Sequence, residues 1–110
     1  MVRAVTWTQS AWSDLEEIVD YIAKDSPHYA AAFLREARDA ARSLAKFSER
    51  GRIVPEFGDP ATRELIVRNY RLVYRLSEEI VYVIGFIHGA RDLKRLWDRE
   101  RREPPHPDPS

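Results

Sequence analysis

The sequence predicts an α+β fold with an N-terminal strand, an α-helical hairpin, a three-stranded antiparallel meander, a short C-terminal helix and a disordered tail. Three observations lead to this prediction. Apolar and polar residues alternate from Tyr70 to Leu76, as in a strand with one buried face. The run Ile80–His88 is apolar at odd and at even positions, as in a strand buried on both faces. Two apolar stripes at helical spacing precede residue 48.

The strand Tyr70–Leu76 defines the two faces of the predicted meander. Its tyrosines and leucines share one face, and Arg71, Val73 and Arg75 share the other. The next strand, Ile80–His88, is expected inside the sheet and covered on both faces. Counting by twos divides that strand into one face with Ile80, Tyr82, Ile84 and Phe86 and another with Val81, Val83 and Ile87.

Two short polar segments separate the strands of the meander. Asn69 predicts a tight turn before Tyr70, because asparagine tolerates positive φ. Residues 77–79, Ser-Glu-Glu, form a polar break of hairpin length. The strand before the first turn is expected over Arg63–Arg68.

The N-terminal end predicts a strand followed by a helix. Val2–Thr8 alternates as a short strand does. The first helix is expected from an N-cap at Ser10 to about Lys24. Three acids, Asp14, Glu16 and Glu17, are assigned to its early turns, where the helix dipole favours negative charge.

A second helix begins at Ser26-Pro27 and is expected to run to about Phe47. Serine as N-cap with proline at the first helical position is a specific start signal. Residues 48–62, rich in glycine, proline and charge, predict a loop longer than most connections. Arg50 and Arg52 in this loop are assigned to the C-terminal end of the second helix, where the dipole favours cations.

The last segment after Arg91 predicts a helix and a tail. Residues 92–102 are compatible with a helix that places Leu93, Leu96 and Trp97 on one face. The final eight residues, EPPHPDPS, are too rich in proline to be expected to fold.

Composition restricts the classes of protein considered. The 110 residues suit one domain, and the absence of cysteine excludes disulfides, thiolate zinc sites and cysteine nucleophiles. The formal net charge is zero, so electrostatic recognition requires local clustering. No apolar run approaches the roughly 20 residues of a membrane span, and no signal peptide begins the chain. We therefore expect a cytoplasmic protein without a membrane association, a cofactor or a metal, since the three histidines lie far apart.

The basic residues Arg71, Arg75, Arg91, Lys94 and Arg95 form the first candidate site. Arginines at alternate positions of one strand share a face, and guanidinium groups suit phosphate or carboxylate oxygens. Two interpretations remain open, a surface for an anionic target and a solvated face that pairs with acids of the same chain.

Other side chains carry further alternatives. His88 ends the buried strand and is either a general acid or base or a structural histidine. Three aromatic residues lie near the edges of the helical stripes and either complete the core or line a groove for a partner's helix: Trp12, Tyr21 and Tyr29.

An ordered set of motifs resembles the RelE/ParE superfamily of bacterial type II toxin–antitoxin toxins. The set is V-x-W-T-x-x-A-x-x-D-L-x-E-I-x-x-Y-I (Val5–Ile22), the restart at Ser26-Pro27, R-E-L (63–65), N-Y-R-L-V-Y-R (69–75) and I-H-G-A-R-D-L (87–93). The resemblance spans residues 2 to 97 and implies the fold derived above. It implies a toxin domain over residues 1–97 and a C-terminal extension over residues 98–110.

The superfamily resemblance implies one of two activities. RelE-like members cut messenger RNA on the ribosome with arginines, lysines and a C-terminal aromatic residue, whereas ParE-like members poison DNA gyrase. Arg71 and Arg91 match two RelE-like arginines. Trp97 stands where RelE-like nucleases often carry tyrosine, and residues 48–62 contain no lysine. These departures, together with the Leu15–Ile22 helix and the Ser26-Pro27 restart, favour the ParE-like interpretation.

The leading hypothesis is a gyrase inhibitor silenced by a cognate antitoxin in a hetero-oligomer. Its target would bind Arg71, Arg75, Arg91, Lys94, Arg95 and Trp97, and its antitoxin would bind Trp12, Tyr21 and Tyr29. In the alternative, a ribosome-dependent endoribonuclease acting on messenger RNA, the catalytic group would be Arg71, Arg91, His88 and Lys94. A third hypothesis is a non-toxic member that only binds its antitoxin.

Overall fold

The computed structural model describes residues 2–88 and 91–102, without the side chains of Arg91, Asp92, Arg101 and Arg102. The predicted tail over residues 103–110 lies outside the described residues. The described elements, in chain order, are β1 (Ala4–Trp7), α1 (Gln9–Ala23), α2 (Pro27–Ser43), β2 (Arg52–Ile53), β3 (Thr62–Val67), β4 (Tyr70–Leu76), β5 (Ile80–Ile87) and α3 (Arg91–Arg102).

The predicted α+β class and element order are confirmed, and the sheet has more strands than the predicted meander. Its order is β1-β5-β4-β3-β2. β3, β4 and β5 pair antiparallel, as predicted. β1 pairs parallel with β5, with Val5 opposite Val81, and β2 forms inside the predicted loop, with Arg52 opposite Glu64. β5 therefore lies inside the sheet, between β1 and β4.

The prediction for the faces of β5 holds through Ile84, which shares a cluster with Tyr82, and is wrong beyond it. Tyr74 pairs with Val83 whereas Val73 pairs with Gly85, so Ile84 is an extra residue, a β-bulge. The extra residue shifts the alternation by one. Phe86 consequently joins Val83 in the core beneath the helices, although counting by twos had assigned it to the opposite face.

Two apolar clusters cover the two faces of the sheet. The larger lies under α1 and α2 and includes Leu15, Phe33 and Tyr74, all fully buried. The smaller lies under α3 and the segment after β2, and its buried members are Val54, Val73, Ile84, Ile87, Leu93 and Leu96. Burial of apolar surface on both faces is the main stabilising contribution.

The predicted helix starts are partly corrected. Thr8, two residues before the predicted cap, is the N-cap of α1, and its hydroxyl accepts from the Ala11 N–H at 3.1 Å. The first turn of α1 therefore contains no acid, and Asp14 lies deeper in the helix than expected. Ser26 caps α2 as predicted, but α2 ends at Ser43, before Phe47.

The turn between β3 and β4 is also corrected. Arg68, rather than Asn69, has the positive φ, at 57°. A positive φ at the first of two turn residues is the pattern of a type II′ hairpin turn.

Candidate functional site

Arg71 is engaged in ion pairs inside the fold. Its Nη1 atom lies 3.1 Å from Oε1 of Glu64, whose side chain is fully buried, and 3.4 Å from Oε1 of Glu56. The Arg71 side chain is 17% exposed. The sequence left two interpretations of the basic residues open, a surface for an anionic target and pairing with acids of the same chain. At Arg71 the second one applies.

Glu64 joins β2 to β4 through two arginines. Arg52 bonds one of its carboxylate oxygens and Arg71 the other. A carboxylate buried without such partners would carry a large desolvation cost. Arg52 was assigned to the end of α2, and its bond to Glu64 corrects that assignment, whereas Arg50 does reach the end of α2 and donates to the Ser43 hydroxyl at 2.8 Å.

Glu56 forms the outer part of this cluster. A hydrogen bond from its own backbone N–H, followed by the bond from Arg71, lowers the pKa of the Glu56 carboxyl below its usual value, against an opposing effect of burial. Glu56 therefore stays ionised beside Arg71 at neutral pH.

The basic residues of β4 do not form a continuous surface. Arg75 shares the face of Arg71 but forms no ion pair with any described residue. Val73, between them, is fully buried in the smaller core cluster beneath α3. The side chain of Arg91, the third member expected to converge here, lies outside the described residues.

His88 lies on the opposite face of the sheet from Arg71. Its ring packs on Tyr70, with centroids 5.1 Å apart, and Tyr70 belongs to the cluster under the helical hairpin. Arg71 follows Tyr70 directly in β4, and successive side chains of a strand point to opposite faces. The sheet thus separates two members of the group expected to act together in RNA cleavage.

His88 and Arg95 instead line a shared groove between α1, the end of β5 and α3. The groove has a volume of about 350 Å³ and also borders Tyr70 and Glu17. Within the described part of the chain, neither Arg95 nor Glu17 has an ion-pair partner. This groove is therefore where two predicted site residues meet in an exposed position.

An ion pair between Asp14 of α1 and Arg99 of α3 closes one side of the groove. Arg99 donates from Nη1 and Nη2 to the two carboxylate oxygens of Asp14 at 3.2 and 3.0 Å. The same pair bonds the backbone of the bulge, because Arg99 donates to the Ile84 carbonyl at 2.9 Å and Asp14 accepts from the Phe86 N–H at 3.2 Å. Sequence reasoning placed Asp14 on the helix dipole and left Arg99 without a role.

The other predicted residues of α3 have separate surroundings. Lys94 is exposed and forms a pair with Asp98 at 3.0 Å, one turn along the same helix. The indole of Trp97 packs on Phe57 with centroids 4.3 Å apart. α3 itself continues past the predicted domain boundary at residue 97.

The three aromatic residues assigned to the antitoxin occupy different surroundings. Trp12 is 38% exposed, packs edge-on against Trp7 at 5.3 Å and borders a second groove of about 330 Å³ with Arg38 and Arg42. Tyr29 is 40% exposed and lies under the guanidinium of Arg68, 4.4 Å from its ring centroid.

Tyr21 and Tyr29 lie near Tyr70. Burial raises the pKa of the Tyr70 phenol, and the neighbouring Tyr21 and Tyr29 groups raise it further. The guanidinium of Arg68, above Tyr29, also donates two hydrogen bonds to the carboxylate of Glu36 in α2. These bonds lower the pKa of the Glu36 carboxyl. The β3–β4 turn is thus fastened to α2 at two places, Tyr29 in its first turn and Glu36 near its middle.

The segment after α2 is held by a buried phenol. Tyr74 donates its hydroxyl hydrogen to the Ser48 carbonyl at 2.8 Å and accepts from the Gly51 N–H at 3.0 Å. Arg63 donates to the carbonyls of Glu49 and Gly51 in the same segment, at 3.3 and 3.0 Å. These bonds order the start of the loop that was predicted over residues 48–62.

Residues 2–88 and 91–102 contain neither a cluster of metal-ligand side chains nor a membrane-spanning helix. In these ranges, no three histidine or acidic side chains gather as metal ligands do. No helix there has the length and apolar character that crossing a membrane requires.

Comparisons with known proteins agree with this architecture. Residues 5–93 match the family model described as ParE toxin of type II toxin–antitoxin system, parDE. The protein named Toxin RelE2 of Caulobacter vibrioides is 36% identical over 88 residues, covering 79% of this chain and 96% of that protein. A solved structure titled chromosomal ParDE TA system from P. aeruginosa superposes with a TM-score of 0.67 at 18% identity, covering 81% of this chain and 98% of that one.

Proposed function

Because the chain belongs to the ParE toxin family of type II toxin–antitoxin systems, we propose that it arrests growth by binding and inhibiting DNA gyrase. Membership of the family makes it the toxin component of such a system and implies a cognate antitoxin as its partner. The gyrase target is the proposed step.

The separation of Arg71 from His88 carries this proposal. RNA cleavage requires cations at the phosphate and a group that moves a proton within reach of the same bond. Arg71 is bonded to Glu64 on one face of the sheet, while His88 packs on Tyr70 on the other. This arrangement favours an inhibitor that acts by binding.

The chemistry of α3 supports the same proposal. Trp97 has no phenolic hydroxyl with which to exchange a proton, and its indole lies against Phe57. Lys94 has Asp98 as a partner and projects into solvent, 84% exposed. Basic and aromatic side chains on an amphipathic helix are suited to a protein surface.

A supercoiling assay with purified gyrase tests the proposal. We expect the purified toxin to inhibit the supercoiling of relaxed plasmid in a concentration-dependent manner, and the antitoxin from the neighbouring reading frame to relieve the inhibition. Full supercoiling at toxin concentrations that arrest growth in cells would reject gyrase as the target.

Ribosome-dependent cleavage of messenger RNA is the second candidate, because the Caulobacter relative carries the name of a RelE toxin. Primer extension on translated messages after toxin expression distinguishes the two. Codon-phased cuts that disappear in a folded Arg71→Lys variant would establish the nuclease, whereas uncut messages during growth arrest would support gyrase inhibition.

A further inference from the structure

The edge of β5 loses its strand partner halfway along. β1 ends beside Val83, where the Thr8 N–H donates to the Val83 carbonyl at 3.0 Å. β5 continues to Ile87 without β1 beside it. Backbone groups on such an edge need other partners or water.

Asp14 and Arg99 supply those partners. The Arg99 guanidinium satisfies the Ile84 carbonyl and the Asp14 carboxylate satisfies the Phe86 N–H, on the two sides of Gly85. A methyl group on Gly85 would lie 3.1 Å from Asp14 Oδ2 and 3.1 Å from Arg99 Nη2. The strand therefore has no side chain where the pair approaches it.

The pair determines how α3 is placed. Apolar contacts of Leu93 and Leu96 keep α3 on the sheet but allow small rotations and shifts. A two-pronged bond between guanidinium and carboxylate restricts both, because it requires one orientation of each group. The additional bond from Arg99 to Ile84 ties the helix to the backbone of β5, a strand inside the sheet.

Arg95, one helical turn before Arg99, depends on this placement. It lines the same groove and has no ion-pair partner among the described residues, whereas Arg99 is bound to Asp14. Trp97 belongs to the same helix, so the placement of α3 also sets the position of its indole against Phe57.

We propose that Asp14 and Arg99 are positioning residues, which hold α3 so that Arg95 and Trp97 meet the target of the toxin. The target's identity, gyrase, rests on the proposed function. In this proposal the pair acts through α3 rather than by contacting the target.

Two conservative variants and one matched control test the proposal. Asp14→Asn retains an oxygen that accepts the Phe86 N–H bond but removes the charge that binds Arg99. Arg99→Lys retains the charge but lacks the fork that reaches Asp14 and Ile84 together. Asp20→Asn is the control, because Asp20 is an exposed acid of the same helix that lines neither groove and receives the same chemical change as Asp14.

Three quantities are measured: the toxin concentration that half-inhibits gyrase, the growth arrest, and the affinity for the antitoxin from the neighbouring reading frame. Each measurement is made below the melting temperature of the variant. We expect both pair variants to need roughly tenfold more toxin for half-inhibition. Antitoxin affinity should stay within about twofold of wild type, and Asp20→Asn should match wild type in every assay.

Inhibition at the wild-type concentration by both folded pair variants would overturn the proposal. An equal loss of antitoxin affinity would also overturn it, since the pair would then support the whole fold. Growth arrest separates this proposal from the gyrase assignment. If wild type arrests growth without inhibiting gyrase, the target is wrong, and weaker arrest by the pair variants than by Asp20→Asn still supports the positioning role.

Discussion

Asp14 and Arg99, 85 positions apart in the chain, form a two-pronged ion pair that occupies the open edge of β5. Helix α1 and helix α3 are joined through it to the same β-bulge. The edge that β1 leaves unpaired is thus covered by two charged side chains, a device that also hinders pairing with a foreign strand.

The Asp14–Arg99 pair is expected to stabilise the fold measurably. Replacing Arg99 with alanine leaves the Ile84 carbonyl and the Asp14 carboxylate without their donor, which should lower the free energy of unfolding by about 2 to 3 kcal/mol. Urea unfolding measures this change. Arg95→Ala, in the same groove but without an ion pair to a described residue, should change it by less than about 0.5 kcal/mol. Equal effects of the two substitutions would contradict the assignment.

Replacing Arg71 should destabilise the protein more than replacing Arg75, although the two residues share a strand and a face. Arg71→Ala leaves the buried Glu64 with Arg52 alone, and we expect a loss of about 2 to 3 kcal/mol. Arg75→Ala should cost less than about 0.5 kcal/mol. Thermal and urea unfolding of both variants provide the comparison. A loss at Arg71 no larger than at Arg75 would mean that the ion pairs with Glu64 and Glu56 contribute little.

Gly85→Ala should destabilise the protein by overpacking. A methyl group there would lie 2.8 Å from Leu96 Cδ1, closer than carbon atoms approach, so α3 or β5 must move. We expect a cost of about 1 to 3 kcal/mol. Gly58→Ala is the comparison, because its methyl group meets no atom within 4 Å and only the positive φ of 66° opposes it. Its expected cost is about 1 kcal/mol, and a near-neutral Gly85→Ala would contradict the close contact.

Tyr74 should make stability depend on alkaline pH. Burial raises the pKa of its phenol above the unfolded value of about 10. The unfolded chain therefore loses this proton first, so the contribution of Tyr74 is complete below pH of about 10 and declines above it. Tyr74→Phe should lower stability at pH 7 by about 1 to 3 kcal/mol, through the unpaired Gly51 N–H and Ser48 carbonyl.

Urea unfolding of wild type and Tyr74→Phe at several pH values between 7 and 11 provides the test. The difference between them should narrow as the pH rises through 10. A constant difference would show that the phenol titrates alike in the folded and unfolded chains.

The sequence predicted the elements well where a local pattern, such as alternation in a strand or a capping signal, determines the structure. The alternation of Tyr70–Leu76 assigned both faces of β4 correctly, and Ser26-Pro27 marked the start of α2. In each case a local pattern determines the structure, through side-chain direction in a strand or capping of a helix.

The sequence failed where the structure depends on distant contacts. Gly85, an isolated glycine within the strand, is a local sign of a bulge but does not show which residue is extra, and counting by twos placed Phe86 on the wrong face. The bulge is matched by Asp14 and Arg99, which come from opposite ends of the chain. The ion pairs of Arg71 likewise depend on Glu64 in β3 and Glu56 in the segment after β2, whose positions the alternation within β4 does not reveal.

The central claim is tested most directly by incubating the purified toxin with gyrase, ATP and supercoiled plasmid. The measurement is the amount of cleaved plasmid DNA that remains linked to gyrase. We predict that cleaved, enzyme-linked plasmid accumulates with toxin concentration and that the antitoxin prevents it. Intact plasmid at every toxin concentration, together with codon-phased cuts in translated messages, would contradict the account.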